Sequence, residues 1–195
     1  MHAALSDPVA FPAEPALRAY AALLARWTQR INLVSRGDEA LIWERHVEDS
    51  LRLLKLIPPG TARAIDLGSG AGLPGLVLAL ASGIHFDLVE ADRRKAAFLA
   101  EAQRVTGAPV TIHCARIERL ALPPAPLVTA RGLAPLETLL GLAAPLLAPG
   151  GVGLFPKGVR ADEEIEAARR VWRFDVALAD AAESPILIVT GLARG

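Results

Sequence analysis

The stretch Ala64 to Gly75, reading A-I-D-L-G-S-G-A-G-L-P-G, most constrains what this chain can become. An apolar run carrying Asp66 is followed by four glycines within eight residues, the pattern of a strand, a tight loop and a helix start. Gly68, Gly70 and Gly72 open backbone angles closed to other residues and let the main chain approach a ligand without intervening side chains. Pro74 suits the first helical position, where its missing N–H would be unpaired in any case. A helix over Gly75 to Ser82 then turns its partly positive N-terminus toward whatever sits above the glycines, which favours an anionic group. A nucleotide-like ligand is the first expectation.

Beyond Pro58-Pro59-Gly60, short apolar runs alternate with helical patterns, as in a parallel sheet covered on both faces. Strands are expected at Ala62–Leu67, Phe86–Glu90, Val110–Cys114, Pro126–Ala130 and Val152–Phe155. Helices are expected at Arg93–Val105, Leu136–Leu147 and Asp162–Trp172. The last two strands, Phe174–Leu178 and Ile186–Thr190, are joined by too few residues for a helical crossover, so they should pair antiparallel. A seven-stranded, mostly parallel Rossmann-like α/β sheet with an antiparallel last strand fits class I methyltransferases better than dehydrogenases. Upstream, Met1 to Pro15 reads as a loose lead-in, Ala16 to Ile31 as an amphipathic helix, and Glu39 to Leu56 as a second helix. Asp38 is its expected N-cap, and Leu41, Ile42, Val47, Leu51 and Leu54 its buried positions. Residues 1–60 thus form an N-terminal helical extension to a domain over residues 61–195, the whole being one compact unit.

With 195 residues, 52% of them hydrophobic, the chain can bury one good core. Its apolar runs are too short for a bilayer, and Met1 to Phe11 lacks a signal peptide's basic start and apolar centre, so a cytoplasmic protein is expected. Cys114, the single cysteine, excludes an internal disulfide and a cysteine zinc cluster, and is read as a small core residue. Twenty-one Lys and Arg residues balance 21 Asp and Glu, so the broad basic field of a nucleic-acid binder is missing. Local basic patches remain at Arg93-Arg94-Lys95 and among Arg160, Arg169, Arg170 and Arg173, where solvated helix faces are the plainer reading.

Gly70-x-Gly72-x-x-Gly75 matches the dinucleotide fingerprint, with Glu90 at the distance of a ribose-binding acid. Asp66 argues against a dinucleotide, because it would repel a pyrophosphate, and the chain has no second domain for a hydride partner. An S-adenosylmethionine site accounts for both acids: Asp66 near the methionine end, Glu90 on the ribose hydroxyls. Arg116 and Glu118 follow the third strand, where a loop would reach an adenine edge, but a solvent-facing turn is the plainer reading of the pair. Arg131 and Lys157 follow the fourth and fifth strands, on the same rim as the glycine loop. They read equally as active-site cations or as surface charges. His46, Glu48, Asp49 and Ser50 crowd one helix at spacing unsuited to a metal, and His46 alone reads as a structural histidine. Trp27, Trp43 and Trp172 read as core or interface residues.

These residues resemble the bacterial small-subunit ribosomal RNA methyltransferase G family, whose members methylate N7 of a guanine in the 530 loop of 16S ribosomal RNA. The likeness covers nearly the whole chain beyond the first dozen residues. It is carried by I-N-L-V-S at Ile31–Ser35, R-H-V-E-D-S-L at Arg45–Leu51, D-L-G-S-G-A-G-L-P-G at Asp66–Gly75, E-A-D-R-R-K-A-A-F-L at Glu90–Leu99 and P-K-G at Pro156–Gly158. The resemblance implies S-adenosylmethionine as donor, with S-adenosylhomocysteine as product, and 16S ribosomal RNA in the small subunit or its precursor as acceptor. It also implies that Asp66, Gly68, Gly70, Leu73, Glu90, Ile117, Glu118 and Arg131 serve the cofactor. His46, Asp49, Ser50, Lys95 and Lys157 would face the substrate, with Arg131 and Lys157 acting at the reaction. No metal or membrane partner is expected, and a monomer is the default. The chain departs from the family's usual G-R-A-E at Ala115-Arg116-Ile117-Glu118 and from S-R-A at Ala130-Arg131-Gly132, and it has Arg94 where lysine is common.

Guanine N7 carries an in-plane lone pair and no proton, so attack on a sulfonium methyl needs no general base. Alignment and electrostatics remain as the sources of catalysis. Two rival readings stand beside this one: a small-molecule methyltransferase, which neutral charge would suit, and a non-catalytic RNA-binding module with a vestigial pocket.

Overall fold

The computed structural model describes residues 13–179 and 184–195, so the expected lead-in over residues 1–12 lies outside the described residues. Pro15, placed by sequence in that lead-in, already stands in the first turn of α1 (Glu14–Thr28). Short turns of mixed helix run from Arg36 to Leu56 and contain α2 (Asp49–Leu51). There follow β1 (Arg63–Leu67), α3 (Gly75–Ser82), β2 (His85–Glu90), α4 (Arg93–Thr106), β3 (Val110–Cys114) and β4 (Ala125–Thr129). The chain closes with α5 (Leu136–Ala143), β5 (Leu147–Pro156), α6 (Ala161–Ala168), β6 (Trp172–Ala179) and β7 (Ile186–Arg194).

Among the described residues the strands form one sheet in the order β3-β2-β1-β4-β5-β7-β6. The first five run parallel. As expected, β6 and β7 pair antiparallel, but β7 inserts between β5 and β6, so it is antiparallel to both neighbours. The order reverses between β1 and β4, which opens a crevice at their carboxyl ends, the place where open α/β sheets bind ligands. The central strands are apolar almost throughout because both faces are covered. On one face Ala64, Phe86 and Leu88 pack under α1, α3 and α4; on the other Ile65, Leu67 and Val89 pack under α5 and α6. The N-terminal helix belongs to the first layer. Its Tyr20 and Trp27 rings lie 6.3 and 5.7 Å from that of Phe98, and the buried Tyr20 hydroxyl donates to the Ala71 carbonyl at 2.6 Å.

Three local expectations are corrected. Glu39 to Leu56 is not one regular helix: 3₁₀ turns flank a wider π-type stretch at Trp43–Glu48, so Leu41 is exposed and Leu53, rather than Leu54, is fully buried. Local side-chain bonds compete with the regular ladder there. Asp38 accepts from Ser35 and Arg45 side chains instead of capping backbone amides, and the Ser50 hydroxyl donates to the His46 carbonyl at 2.6 Å. The helix expected over Asp162–Trp172 stops at Ala168, since Trp172 opens β6 and donates through Nε1 to the Glu137 carbonyl. Cys114 is exposed, because it ends the edge strand β3. Pro74 precedes α3 by one residue, and among the described residues no helix is long and apolar enough to cross a membrane.

Candidate functional site

Two cavities meet at the carboxyl edge of the sheet, and Gly132 and Leu133 line both. The first, about 310 Å³, has walls from the ends of β1, β2 and β3: Gly68, Gly70, Glu90, Lys95, Ile117 and Glu118. Glu90 is fixed at its rim because the Gly70 amide donates to Oε2 at 2.8 Å and the Asp92 amide to Oε1 at 2.7 Å. A carboxylate pinned by two backbone donors keeps its orientation while offering its remaining lone pairs to a polar ligand. Gly70 adopts φ 55°, and a β-carbon there would meet only the Gly68 carbonyl, at 3.8 Å, so the loop leaves open space over the main chain.

The second cavity, about 460 Å³, lies past Gly132 and is lined by Arg131, Ala134, Lys157, Arg160, Glu164 and Ser184, among others. Lys157 is held from two sides: its Nζ donates to the Ala134 carbonyl at 2.8 Å and pairs with Glu164 at 2.7 Å. Glu164 Oε2 also accepts the Leu136 amide at 2.8 Å, so one carboxylate ties the first turn of α5 to the lysine. Arg131 is held by the N-terminal segment. Its guanidinium donates to Asp49 Oδ2 at 3.1 Å and to His46 Nδ1 at 3.3 Å. Since arginine only donates, Nδ1 must be the acceptor and the proton of a neutral His46 sits on Nε2. Burial, then the Arg131 charge, hold the His46 pKa below its ordinary value, which agrees with that assignment.

The sequence-chosen residues therefore divide. Gly68, Gly70, Glu90, Lys95, Ile117 and Glu118 share the first cavity, while Arg131 and Lys157 share the second. His46 and Asp49 stand behind Arg131. Asp66, Leu73 and Ser50 lie off both cavity walls. Asp66 points to the opposite face of β1, beneath α3, where a β-carbon on Gly75 would come within 2.5 Å of its own. Thr129 donates to its Oδ1, and Oδ2 is buried without a partner. Burial lifts this carboxyl to about 6, against the opposing pull of the Thr129 hydroxyl. Leu73 is packed in the core, and Ser50 turns inward onto the His46 carbonyl.

Leu133, Glu164 and Arg160 were not legible as site residues. Leu133 shows as an ordinary apolar residue, and Glu164 sits among the other acids of an exposed-looking helix; neither spacing announces a cavity wall. Arg160 shows in the sequence only as part of a local basic patch, whereas it lines the second cavity.

The model of the family described as rRNA small subunit methyltransferase G matches residues 13–184. The chain is 52% identical over 169 residues to the Ribosomal RNA small subunit methyltransferase G of Granulibacter bethesdensis, covering 87% of this chain and 79% of that protein. It is 59% identical over 160 residues to the protein of the same description from Acidiphilium cryptum, covering 80% and 74%. Among solved structures, it resembles a TehB-like SAM-dependent methyltransferase from Corynebacterium glutamicum, with TM-score 0.61 and 17% identity over 87% of this chain and 98% of that one. It also resembles an O-methyltransferase from Bacillus cereus in complex with SAH, with TM-score 0.60 and 14% identity over 93% of each. The fold is that of class I S-adenosylmethionine-dependent methyltransferases.

Proposed function

From the premise that this chain belongs to the rRNA small subunit methyltransferase G family, we propose that it transfers a methyl group from S-adenosylmethionine to N7 of a guanine in the 530 loop of 16S ribosomal RNA. The observation that carries this reading is the pair of adjoining cavities, one built on the glycine loop and Glu90, the other on Arg131 and Lys157.

The first cavity fits the cofactor on its own chemistry. Its volume falls in the range of small-molecule sites, Glu90 presents a fixed carboxylate suited to ribose hydroxyls, and Gly70 leaves the main chain bare. When bound, S-adenosylmethionine supplies an electrophilic sulfonium methyl. Gly68, Gly70 and Glu90 would hold it from the β1–β2 side, and Ile117 and Glu118 would face it from the wall after β3. Asp66 acts from beneath the loop, as support for the start of α3.

On the acceptor side, Arg131 and Lys157 position the base or its phosphates by charge-assisted hydrogen bonds. Neither needs to remove a proton, because guanine N7 has none. Lys157 is paired with Glu164 and His46 has its Nδ1 engaged by Arg131, so neither stands as a free general base. The base must leave its stack to enter the cavity, or be presented unstacked by the particle.

Methyl transfer from labelled cofactor to small ribosomal subunits, followed by mapping of N7-methylguanosine in 16S RNA, tests the proposal. Incorporation at a guanine of the 530 loop is the expected result. Incorporation into metabolites alone would make it a small-molecule enzyme, and failure to bind S-adenosylhomocysteine would make it a non-catalytic module.

A further inference from the structure

A third concavity, about 370 Å³, adjoins the cofactor cavity through their shared residue Lys95. Arg30, Ile31 and Asn32, from the turn after α1, form one wall; Asp92, Arg94 and Lys95, at the start of α4, form the other. The edge-on contact of Trp27 with Phe98 packs the end of α1 on α4 and brings these walls together. Three cations thus face one carboxylate. That carboxylate is engaged: Asp92 Oδ1 accepts the amides of Arg94 and Lys95 at 2.7 and 3.4 Å, and Oδ2 pairs with the Arg94 guanidinium at 3.3 Å. Among the described residues neither Arg30 nor Lys95 makes a side-chain hydrogen bond or ion pair.

Elsewhere several cations are held by carboxylates, as Arg45, Arg52, Arg63, Arg131 and Lys157 are. Here the cations gather on one concavity. Two unpaired cations, one half-engaged arginine and an exposed asparagine converging on a concavity offer many donors and few competing acceptors. A phosphate dianion or phosphodiester is the group whose oxygens match such a donor set.

We propose that this groove holds a backbone phosphate of the substrate RNA, contacted by Arg30, Asn32, Arg94 and Lys95. The inference rests on ribosomal RNA being the acceptor. Because the cofactor cavity lies between this groove and the cavity of Arg131 and Lys157, the phosphate belongs to a nucleotide flanking the target and not to the target itself. In a protein of zero formal net charge, a local cluster of cations such as this one is enough to grip a phosphate of RNA.

The test compares wild type with Arg30→Gln, Arg94→Gln and the double variant. Binding to 16S ribosomal RNA is measured across a KCl series, S-adenosylhomocysteine binding by calorimetry, and methyl transfer to small subunits by KM and kcat. In the double variant RNA binding should weaken about tenfold, and the slope of log affinity against log salt should become shallower by about 0.7, for one lost single-strand phosphate contact. KM for RNA should rise while kcat and cofactor affinity hold. Arg93→Gln, an exposed neighbour outside the groove, should change little. Unchanged affinity and slope in the double variant, with an active wild type, would overturn the groove alone. An equal effect from Arg93→Gln would overturn it too, as would inorganic phosphate saturating the site while the variants still bind RNA normally. A wild type that methylates no RNA overturns this inference together with the reading it rests on.

Discussion

Asp49 and Arg131 are 82 residues apart in the chain and 3.1 Å apart in space, and their ion pair joins the N-terminal segment to the rim of β4. Asp49 also pairs with Arg52 at 2.7 Å, and Arg52 reaches the Ser184 carbonyl at 3.1 Å, so the carboxylate links three parts of the chain. The Arg45–Leu51 motif thereby gains a physical role: it holds the Arg131 guanidinium at the cavity that Lys157 also lines.

Asp49→Asn should reduce methyl transfer by about tenfold to a hundredfold, as expected for a charge-assisted hydrogen bond worth roughly 1.5–3 kcal/mol. Affinity for S-adenosylhomocysteine should stay near that of wild type, because Asp49 stands outside the cofactor cavity. Arg131→Lys should lose as much, since an ammonium cannot serve Asp49 and His46 with a planar fork. Labelled-methyl transfer alongside calorimetry separates the two effects; a parallel loss of cofactor binding would contradict this assignment.

The Lys157–Glu164 pair yields a split between chemistry and stability. Glu164→Ala strands the Leu136 amide and leaves the half-buried lysine with the Ala134 carbonyl alone, and should lower unfolding free energy by about 1–3 kcal/mol in urea titrations. Lys157→Met instead preserves the apolar stem and should abolish most transfer while cofactor affinity remains. If Lys157→Met transferred methyl groups at the wild-type rate, the lysine would be structural.

Asp66 predicts a pH-dependent stability of definite sign. Burial raises its carboxyl from 3.8 to about 6, so between those values the folded chain keeps a proton that the unfolded chain releases. Stability contributed by the protonated group is therefore present below pH 3.8 and lost as pH rises through 6. Asp66→Asn removes the titration, so the stability of the variant relative to wild type should improve by about 2 kcal/mol between pH 4.5 and 7.5. Urea midpoints at the two pH values measure it; a pH-independent difference would mean that Asp66 stays ionised throughout.

Gly75→Ala should destabilise the fold by about 1–3 kcal/mol, the range for overpacking a filled core. The new methyl would lie 2.5 Å from the Asp66 β-carbon and 2.7 Å from Leu88 Cδ2, both fixed in the centre of the sheet. Gly107→Ala is a useful contrast: its β-carbon meets nothing within 4 Å, so the penalty there comes only from its φ of 71°. Thermal melts of the pair should separate crowding from backbone strain.

Local chemistry made most of the fold legible. Apolar runs ended by glycine or proline located α3 and β3 at their observed bounds, and a connection too short for a crossover identified the antiparallel pairing of β6 with β7. Gly68, Gly70 and Glu90 were readable for the same reason, since a glycine loop between a strand and a helix, with an acid after the next strand, is a contiguous pattern. The sequence by itself thus determined the strand-loop-helix unit, the layering and the bare-backbone glycine loop. Only the tertiary structure decided which side chains look into the cavities. Asp66 sits next to the loop in sequence, but its side chain turns under the start of α3 and off both cavity walls, because successive residues of a strand point to opposite sides. The long-range pairs Arg131 with Asp49, and Tyr20 with Ala71, leave no local periodicity, and the groove of Arg30 and Arg94 exists only because aromatic packing lays α1 across α4.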